Sequence, residues 1–216
     1  MSNQDRKAIF ITGSSSGLGR AAAKLFASKG WNVIASMRDP KKEHELGKIP
    51  GLQLVTLDVT DPREIERAAE QVVSSGGVDV VFNNAGSGLT GALEGWSESM
   101  AFELNPVGIG IKTVEPGGIR TDFFTRSLDT GHHPAYDALV NKFMGMITDP
   151  KQMATYSTPE QIAEVVYEAA TDGKDQLRYV AGADAKEIYA LRMQLGDEAF
   201  RKAMARQFLG DIANAA

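Results

Sequence analysis

Thr12-Gly13-Ser14-Ser15-Ser16-Gly17-Leu18-Gly19 is the stretch of this chain whose residue types and spacing most plainly allow chemistry. A glycine-rich turn that leaves a short apolar run and opens a helix can hold a pyrophosphate. Gly13 permits the tight turn, Gly17 lets backbone approach the anion, and Gly19 lets the helix pack close to a sheet. Ser14, Ser15, Ser16 and Leu18 complete the loop. The helix N-terminus adds free N–H groups and the favourable end of its dipole. The glycines alone fit an ordinary strand-to-helix turn equally well. The other groups with chemical potential are Arg38, Asp58, the Asn83-Asn84-Ala85-Gly86 run, and Pro116-Gly117 with Thr121.

The elements that must position them follow from periodicity. Ala8 to Thr12 is a short apolar run, and Arg20 to Ser28 carries Ala21, Leu25 and Phe26 at helical spacing before Gly30. Apolar runs recur at 32–37, 52–59 and 78–84. Between the last two, Asp61-Pro62-Arg63-Glu64 opens a helix with N-cap, proline at the first position and a capping-box glutamate. Strands alternating with helices, the strands apolar on both faces, predict a parallel sheet covered on both sides. The second half predicts a helix over 93–104, a strand over 108–114, a helix around 135–147, a capped helix from Thr158 to Ala170, a strand over 177–181 and helix over 185–209. The expected architecture is α/β, a doubly wound parallel sheet in three layers, α/β/α, as one domain over 1–216.

Composition narrows the function classes. Net charge is −5, 24% of residues are charged and the 23 basic ones are scattered, so nucleic acid is not an expected partner. There are no cysteines, which removes disulfides, thiolate catalysis and cysteine-ligated zinc. Met1 to Arg6 is polar, and no apolar stretch has the length of a membrane span, so no membrane association is expected and the expected compartment is the cytoplasm.

Taken together, T-G-x-x-x-G-x-G at 12–19, Asp58-Val59, Asn83-Asn84-Ala85-Gly86 and Pro116-Gly117 with Thr121 strongly resemble the short-chain dehydrogenase/reductase family, and they come in the family's order. The wording of 92–124 is closest to its hydroxysteroid- and retinol-dehydrogenase-like branch. The resemblance implies a Rossmann-type fold and an oxidoreductase moving a hydride between a nicotinamide and an alcohol or carbonyl carbon, and Phe123, Phe124, Phe143, Met144 and Met146 suggest that the small substrate is apolar. It assigns Asp58 to the adenine amino group, with Val59 beside the ring. Asn84, Ala85 and Gly86 would line the ribose, and Pro116, Gly117 and Thr121 would hold the nicotinamide carboxamide. It also implies a homodimer or homotetramer.

Cofactor preference can be argued from charge. About 20 residues past the glycine loop, an NAD site places Asp or Glu on the ribose 2′-OH. Here Met37 and Arg38 stand at the end of the second strand. A carboxylate would repel a 2′-phosphate, whereas a guanidinium can chelate it. The expectation is NADP (NADPH), NAD being less favoured, with Ser14 as a second donor. The competing reading of Arg38 is a solvated strand-end charge.

The family works with a Tyr-x-x-x-Lys pair on one helix face, a Ser and an Asn. The five tyrosines here, Tyr136, Tyr156, Tyr167, Tyr179 and Tyr189, are followed four residues later by Val140, Glu160, Thr171, Ala183 and Met193. No catalytic residue is therefore assigned. About 50 residues of the family pattern are lacking between Asn83–Gly91 and Ala92–Ser99, by ordinary element and loop lengths. Two explanations compete. If the segment belongs to the protein and this sequence lacks it, the chain should be broken between Gly86 and Glu94, with strand 108–114 standing off strand 78–84. If the molecule is built without it, those two strands should pair directly. In that case the alternative is a catalytically inactive NADP(H)-binding sensor or scaffold. His132-His133 have too few neighbouring ligands for a metal site. Residues 118–157 are expected to form a substrate lid, with ordinary helix packing as the competing reading of their Phe and Met residues.

Overall fold

The structure is a computed structural model that describes residues 6–86, 93–123 and 137–210. Strands β1 (Ala8–Ile11), β2 (Asn32–Met37), β3 (Leu52–Thr56) and β4 (Val80–Phe82) form a parallel sheet in the order β3-β2-β1-β4. Ile9 lies opposite both Val33 and Val80, and Ala35 lies opposite Leu54. Side chains alternate between two cores, as a period of two demands. Ile9, Ile11, Val33 and Ala35 face one core, while Phe10 and Ile34 face the other. Strands β3 and β4 end sooner than their apolar runs. The amide of Asp58 turns to Glu64 Oε2 (2.7 Å) and that of Asn84 to Thr12 Oγ1 (3.0 Å), so both leave the ladder.

The first core is closed by helix α1 (Gly17–Ser28) and the second by α2 (Pro62–Ser74). In α1, three consecutive alanines, Ala21, Ala22 and Ala23, are buried and permit close packing. Asp61 caps α2 as expected, accepting from the Arg63 amide at 2.9 Å. Glu64 does not close a capping box, because its carboxylate is engaged by Asp58. Helix α3 (Leu93–Leu104) matches its expected span. Strand β5 (Thr113–Pro116) starts later than the expected 108, since Gly108 (φ +83) ends a 3₁₀ turn in the left-handed region and pairing begins only where Thr113 meets Arg178. Helices α4 (Asp137–Ile147) and α5 (Pro150–Thr155) precede α6 (Pro159–Thr171). The capping box of α6 is complete between Thr158 and Gln161. After β6 (Arg178–Ala181), the expected single helix is two, α7 (Ala183–Leu195) and α8 (Asp197–Leu209), parted at Gly196 (φ +75).

Strands β5 and β6 pair in parallel as a second sheet. Among the described residues β5 does not pair with β4, so the direct closure expected of a chain built without the segment is not formed. Helix α6 gives the physical reason. Its Tyr167 ring stands edge-on to Phe26 of α1 at 5.0 Å, Ala163 and Val166 are buried in the same core, and α6 also packs on β5 and β6. The helix thus ties β5–β6 to the first sheet from below, independently of strand pairing. Most of the expected break between Gly86 and Glu94 lies outside the described residues, as do His132, His133 and Tyr136.

Candidate cofactor site

The glycine loop is built as its spacing requires. Gly13 (φ +70) and Gly17 (φ +54) sit in the left-handed region. A Cβ on Gly13 would meet the Ala85 backbone at 3.0 Å, and one on Gly19 would meet both Asn84 Nδ2 and the Gly13 carbonyl at 2.5 Å. The loop and the Asn84-Ala85 turn are therefore pressed together with no room for side chains. Thr12 binds them further. Its hydroxyl oxygen accepts from the amides of Asn84 (3.0 Å) and Ala85 (2.9 Å), while Asn84 Nδ2 donates to the carbonyls of Thr12 (2.9 Å) and Gly13 (3.2 Å). Ser16 is the N-cap of α1 but makes no side-chain cap, so its hydroxyl does not take up the helix's first amides. That is the arrangement an anion site needs.

On the other side of the loop, Thr121 brings its methyl within 3.3 Å of where a Cβ on Gly17 would sit. The structure thus gathers residues 12–19, 84–86 and 116–121 at the carboxyl ends of the strands, where a doubly wound sheet binds its ligand. Within the third segment the amide of Gly117 is taken by the Ala181 carbonyl (3.0 Å) and that of Gly118 by Asp184 Oδ2 (2.7 Å). The Asp184 carboxylate also fills the space a Cβ would take on Gly117, which explains that glycine without any unusual backbone angle. Asp184 was missed from sequence. The usable signal was Gly182-Ala183-Asp184 directly after the last strand, a turn residue followed by an acidic first helical turn.

A cleft of about 390 Å³ lies at the end of β2, lined by Ser15, Met37, Arg38, Asp39, Lys42 and Glu43. Arg38 is exposed, and its charge helps hold the Asp58 carboxyl below the usual range, after the Thr60 amide and hydroxyl. One expectation fails here. Ser14 is fully buried and its hydroxyl donates to the Ile11 carbonyl at 3.1 Å, so it has no hydrogen left for a phosphate; the exposed Ser15 lines the cleft instead. Asp39 and Lys42 were also overlooked. The exposed Asp39 carboxylate is engaged locally, accepting from the Lys41 amide (3.3 Å) and pairing with Lys42 Nζ (3.1 Å). The floor of the cleft is fixed by Glu43. Burial raises its carboxyl pKa, but the Leu46 amide, the Arg20 guanidinium and the Glu45 amide outweigh this and bring it down to about 2. Val59 stands 41% exposed beside Asp58, available to a flat ring.

No described tyrosine is set up as a general acid. Lys112 Nζ approaches Tyr179 Oη at 3.5 Å, but burial and the Asp172 carboxylate push that phenol up to about 12. Tyr156 lies over Gly118, and burial followed by the Asp184 charge raises it too. A tyrosine acid–base needs the opposite shift.

The fold is an α/β domain of Rossmann type. Residues 7–94 match the family model described as short chain dehydrogenase. An uncharacterized oxidoreductase of Schizosaccharomyces pombe is 27% identical over 228 residues, covering 76% of this chain and 96% of its own. The uncharacterized oxidoreductase YusZ of Bacillus subtilis is 26% identical over 256 residues, covering 84% and 91%. Among solved structures, a short-chain dehydrogenase from Streptomyces avermitilis superposes with TM-score 0.74 at 22% identity, over 98% of this chain and 99% of that one. A 4-hydroxyisoleucine dehydrogenase solved with NADH reaches TM-score 0.62 at 17% identity, over 82% and 97%. Among the described residues no helix is long and apolar enough to cross a membrane.

Proposed function

We propose that this chain is an NADP(H)-dependent oxidoreductase acting on an alcohol or carbonyl carbon of a small apolar substrate in the cytoplasm. The observation that carries the cofactor choice is the cleft at the end of β2, where Arg38 and Ser15 stand and the acidic side chains are engaged with Lys41, Lys42 and Arg20. Arg38 would clamp the 2′-phosphate with two parallel hydrogen bonds, and Ser15 would donate a third. The amides of residues 15–19 at the start of α1 would hold the pyrophosphate. Asp58 and Val59 would receive the adenine, Asn84 to Gly86 the ribose, and the turn from Pro116 to Thr121 the nicotinamide. Asp184 would keep that turn in shape. The bound cofactor supplies the hydride. Residues 118–157 would cover the substrate, Phe143 offering an apolar wall at 41% exposure.

With no described tyrosine set up as the acid, the proton would come from water, and the chain alone should be slower by roughly 10²–10⁴ than a site with a general acid. The test is label transfer from 4-deuterated NADPH to a panel of apolar ketones and aldehydes, read by mass spectrometry. Deuterium on the carbinol carbon of at least one product, above the no-protein control, is expected. No label in any product, or faster transfer from NADH, would overturn the reading.

A further inference from the structure

Arg38 is one positive charge, and the 2′-phosphate it would clamp carries about two negative ones near pH 7. The same cleft is lined by a second cation, Lys42, and by a carboxylate, Asp39, directly after Arg38 in the sequence. A bare carboxylate there would repel the phosphate that Arg38 attracts. Chiefly through the Lys42 contact, the Asp39 carboxyl is held below the usual carboxylate range, so it is charged near pH 7.

Local chain chemistry fixes how the two sit. Pro40 opens a 3₁₀ turn, Pro40–Lys42, with Asp39 as its N-cap. Asp39 Oδ1 accepts from the Lys41 amide (3.3 Å), and side chains three apart in such a turn share one face. Asp39 Oδ2 and Lys42 Nζ therefore meet, at 3.1 Å, while the Lys42 side chain stays 85% exposed. An ammonium has three N–H donors. Asp39 takes one, and among the described residues Lys42 has no other side-chain partner, so two remain for a ligand. The chain beyond the turn is moored. Glu43 Oε1 accepts from the amides of Glu45 (2.8 Å) and Leu46 (3.0 Å), its Oε2 is held by the Arg20 guanidinium of α1, and Leu46 is fully buried. Lys42 thus stands at the cleft on a turn anchored at both ends.

We propose that Lys42 is a further specificity-determining residue for the phosphorylated cofactor: one N–H cancels the Asp39 charge, and the others bind the 2′-phosphate beside Arg38. This role rests on the 2′-phosphate reading of the cleft. Removing Lys42 takes a cation from the phosphate and uncovers the carboxylate at the same time. Each effect is worth about 3-fold at an exposed, salt-screened position, so their product is about 10-fold. NADH has a hydroxyl in place of the phosphate and loses neither. Lys41 provides the contrast, since it is equally basic and adjacent in sequence but does not line the cleft.

The test is equilibrium titration of the full chain and its variants with NADPH and with NADH at ~0.15 M salt. Lys42→Met should weaken NADPH about 10-fold and NADH less than ~2-fold. Adding Asp39→Asn should recover about 3-fold of the lost NADPH affinity, because the bare carboxylate is gone. Lys42→Arg should stay within ~2-fold of the parent, and so should Lys41→Met, although it removes the same charge. An exposed pair contributes little to stability, so the melting temperature of Lys42→Met should match that of the parent. A loss of NADPH affinity below ~3-fold in Lys42→Met would overturn the proposal. So would an equal loss of NADH, an equal loss in Lys41→Met, or no recovery in the double variant. Arg38→Asp, titrated alongside, separates the two readings. If it loses NADPH selectively while Lys42→Met does not, the Lys42 role alone falls; if the parent shows no preference for NADPH, both fall.

Discussion

Thr12→Val removes one oxygen atom and leaves the shape of the side chain nearly unchanged, which makes it the sharpest probe of how the site is assembled. The Thr12 hydroxyl accepts from two backbone amides, those of Asn84 and Ala85, and Thr12 is only 6% exposed. In the variant both amides lose their acceptor. A buried donor left unsatisfied costs about 1–3 kcal/mol. Both bonds are half-buried, and water can reach part of the space, so the low end applies to each and the sum is about 2–3 kcal/mol. In a chain of this size each kcal/mol shifts the melting temperature by roughly 2–4 °C, so a fall of roughly 4–12 °C is expected. Thr12→Ser restores the acceptor, loses one methyl, and should fall by about 1 kcal/mol. The assay is urea unfolding followed by circular dichroism, with NADPH affinity measured on each variant. Thr12→Val should also bind NADPH more weakly, because the Asn84-Ala85 turn it releases abuts Gly13. A Thr12→Val variant within 0.5 kcal/mol of the parent, or one more stable than Thr12→Ser, would refute the reasoning.

Arg38→Asp replaces a charge-assisted contact by repulsion, so NADPH should bind roughly 10- to 100-fold more weakly while NADH changes less than about 3-fold; titration of both checks this, and equal losses would count against the 2′-phosphate role. Gly17→Val forces a β-branched residue to φ +54 and sets its Cβ 3.3 Å from the Thr121 methyl, so NADPH binding should drop at least ~10-fold while far-ultraviolet circular dichroism persists. Glu43 has its folded pKa depressed from 4.5 to about 2, so its contribution is present above pH 4.5 and is lost as pH falls toward 2. That contribution is at most about 3 kcal/mol, and Glu43→Gln should flatten this part of the acid limb of stability against pH, whereas an unchanged limb would show that the Arg20–Glu43 pair is not felt.

What the sequence made legible is what depends on neighbours along the chain. The glycine loop, the cap at Asp61 and the box at Thr158–Gln161 are local, and they stand where their spacing puts them. Periodicity likewise gave β2, whose apolar run is buried on both faces, and β1, where Ile9 and Ile11 are buried on one face and Phe10 is partly covered on the other. The misjudged features each depend on which competing partner the folded backbone presents, whether near or far along the chain. Glu64 was drawn from a capping box to the Asp58 amide, Ser14 was buried against Ile11, and β5 began only where β6 could pair with it. Asp184 grips Gly118 from 66 positions away, and the pairing of Glu43 with Arg20 crosses from one element to another. None of these has a sequence period. The division into two sheets was not legible either, because it depends on α6 bridging α1 to β5 and β6.

The central claim is that this chain holds a phosphorylated dinucleotide, with Arg38 reading the 2′-phosphate. Its most direct measurement is an equilibrium titration of the purified chain with NADPH and with NADH at ~0.15 M salt, followed by enhancement of nicotinamide fluorescence. NADPH should bind at least ~10-fold more tightly than NADH, as one charge-assisted phosphate contact would give. NADH binding as tightly as NADPH would contradict the account, and so would absence of binding by both.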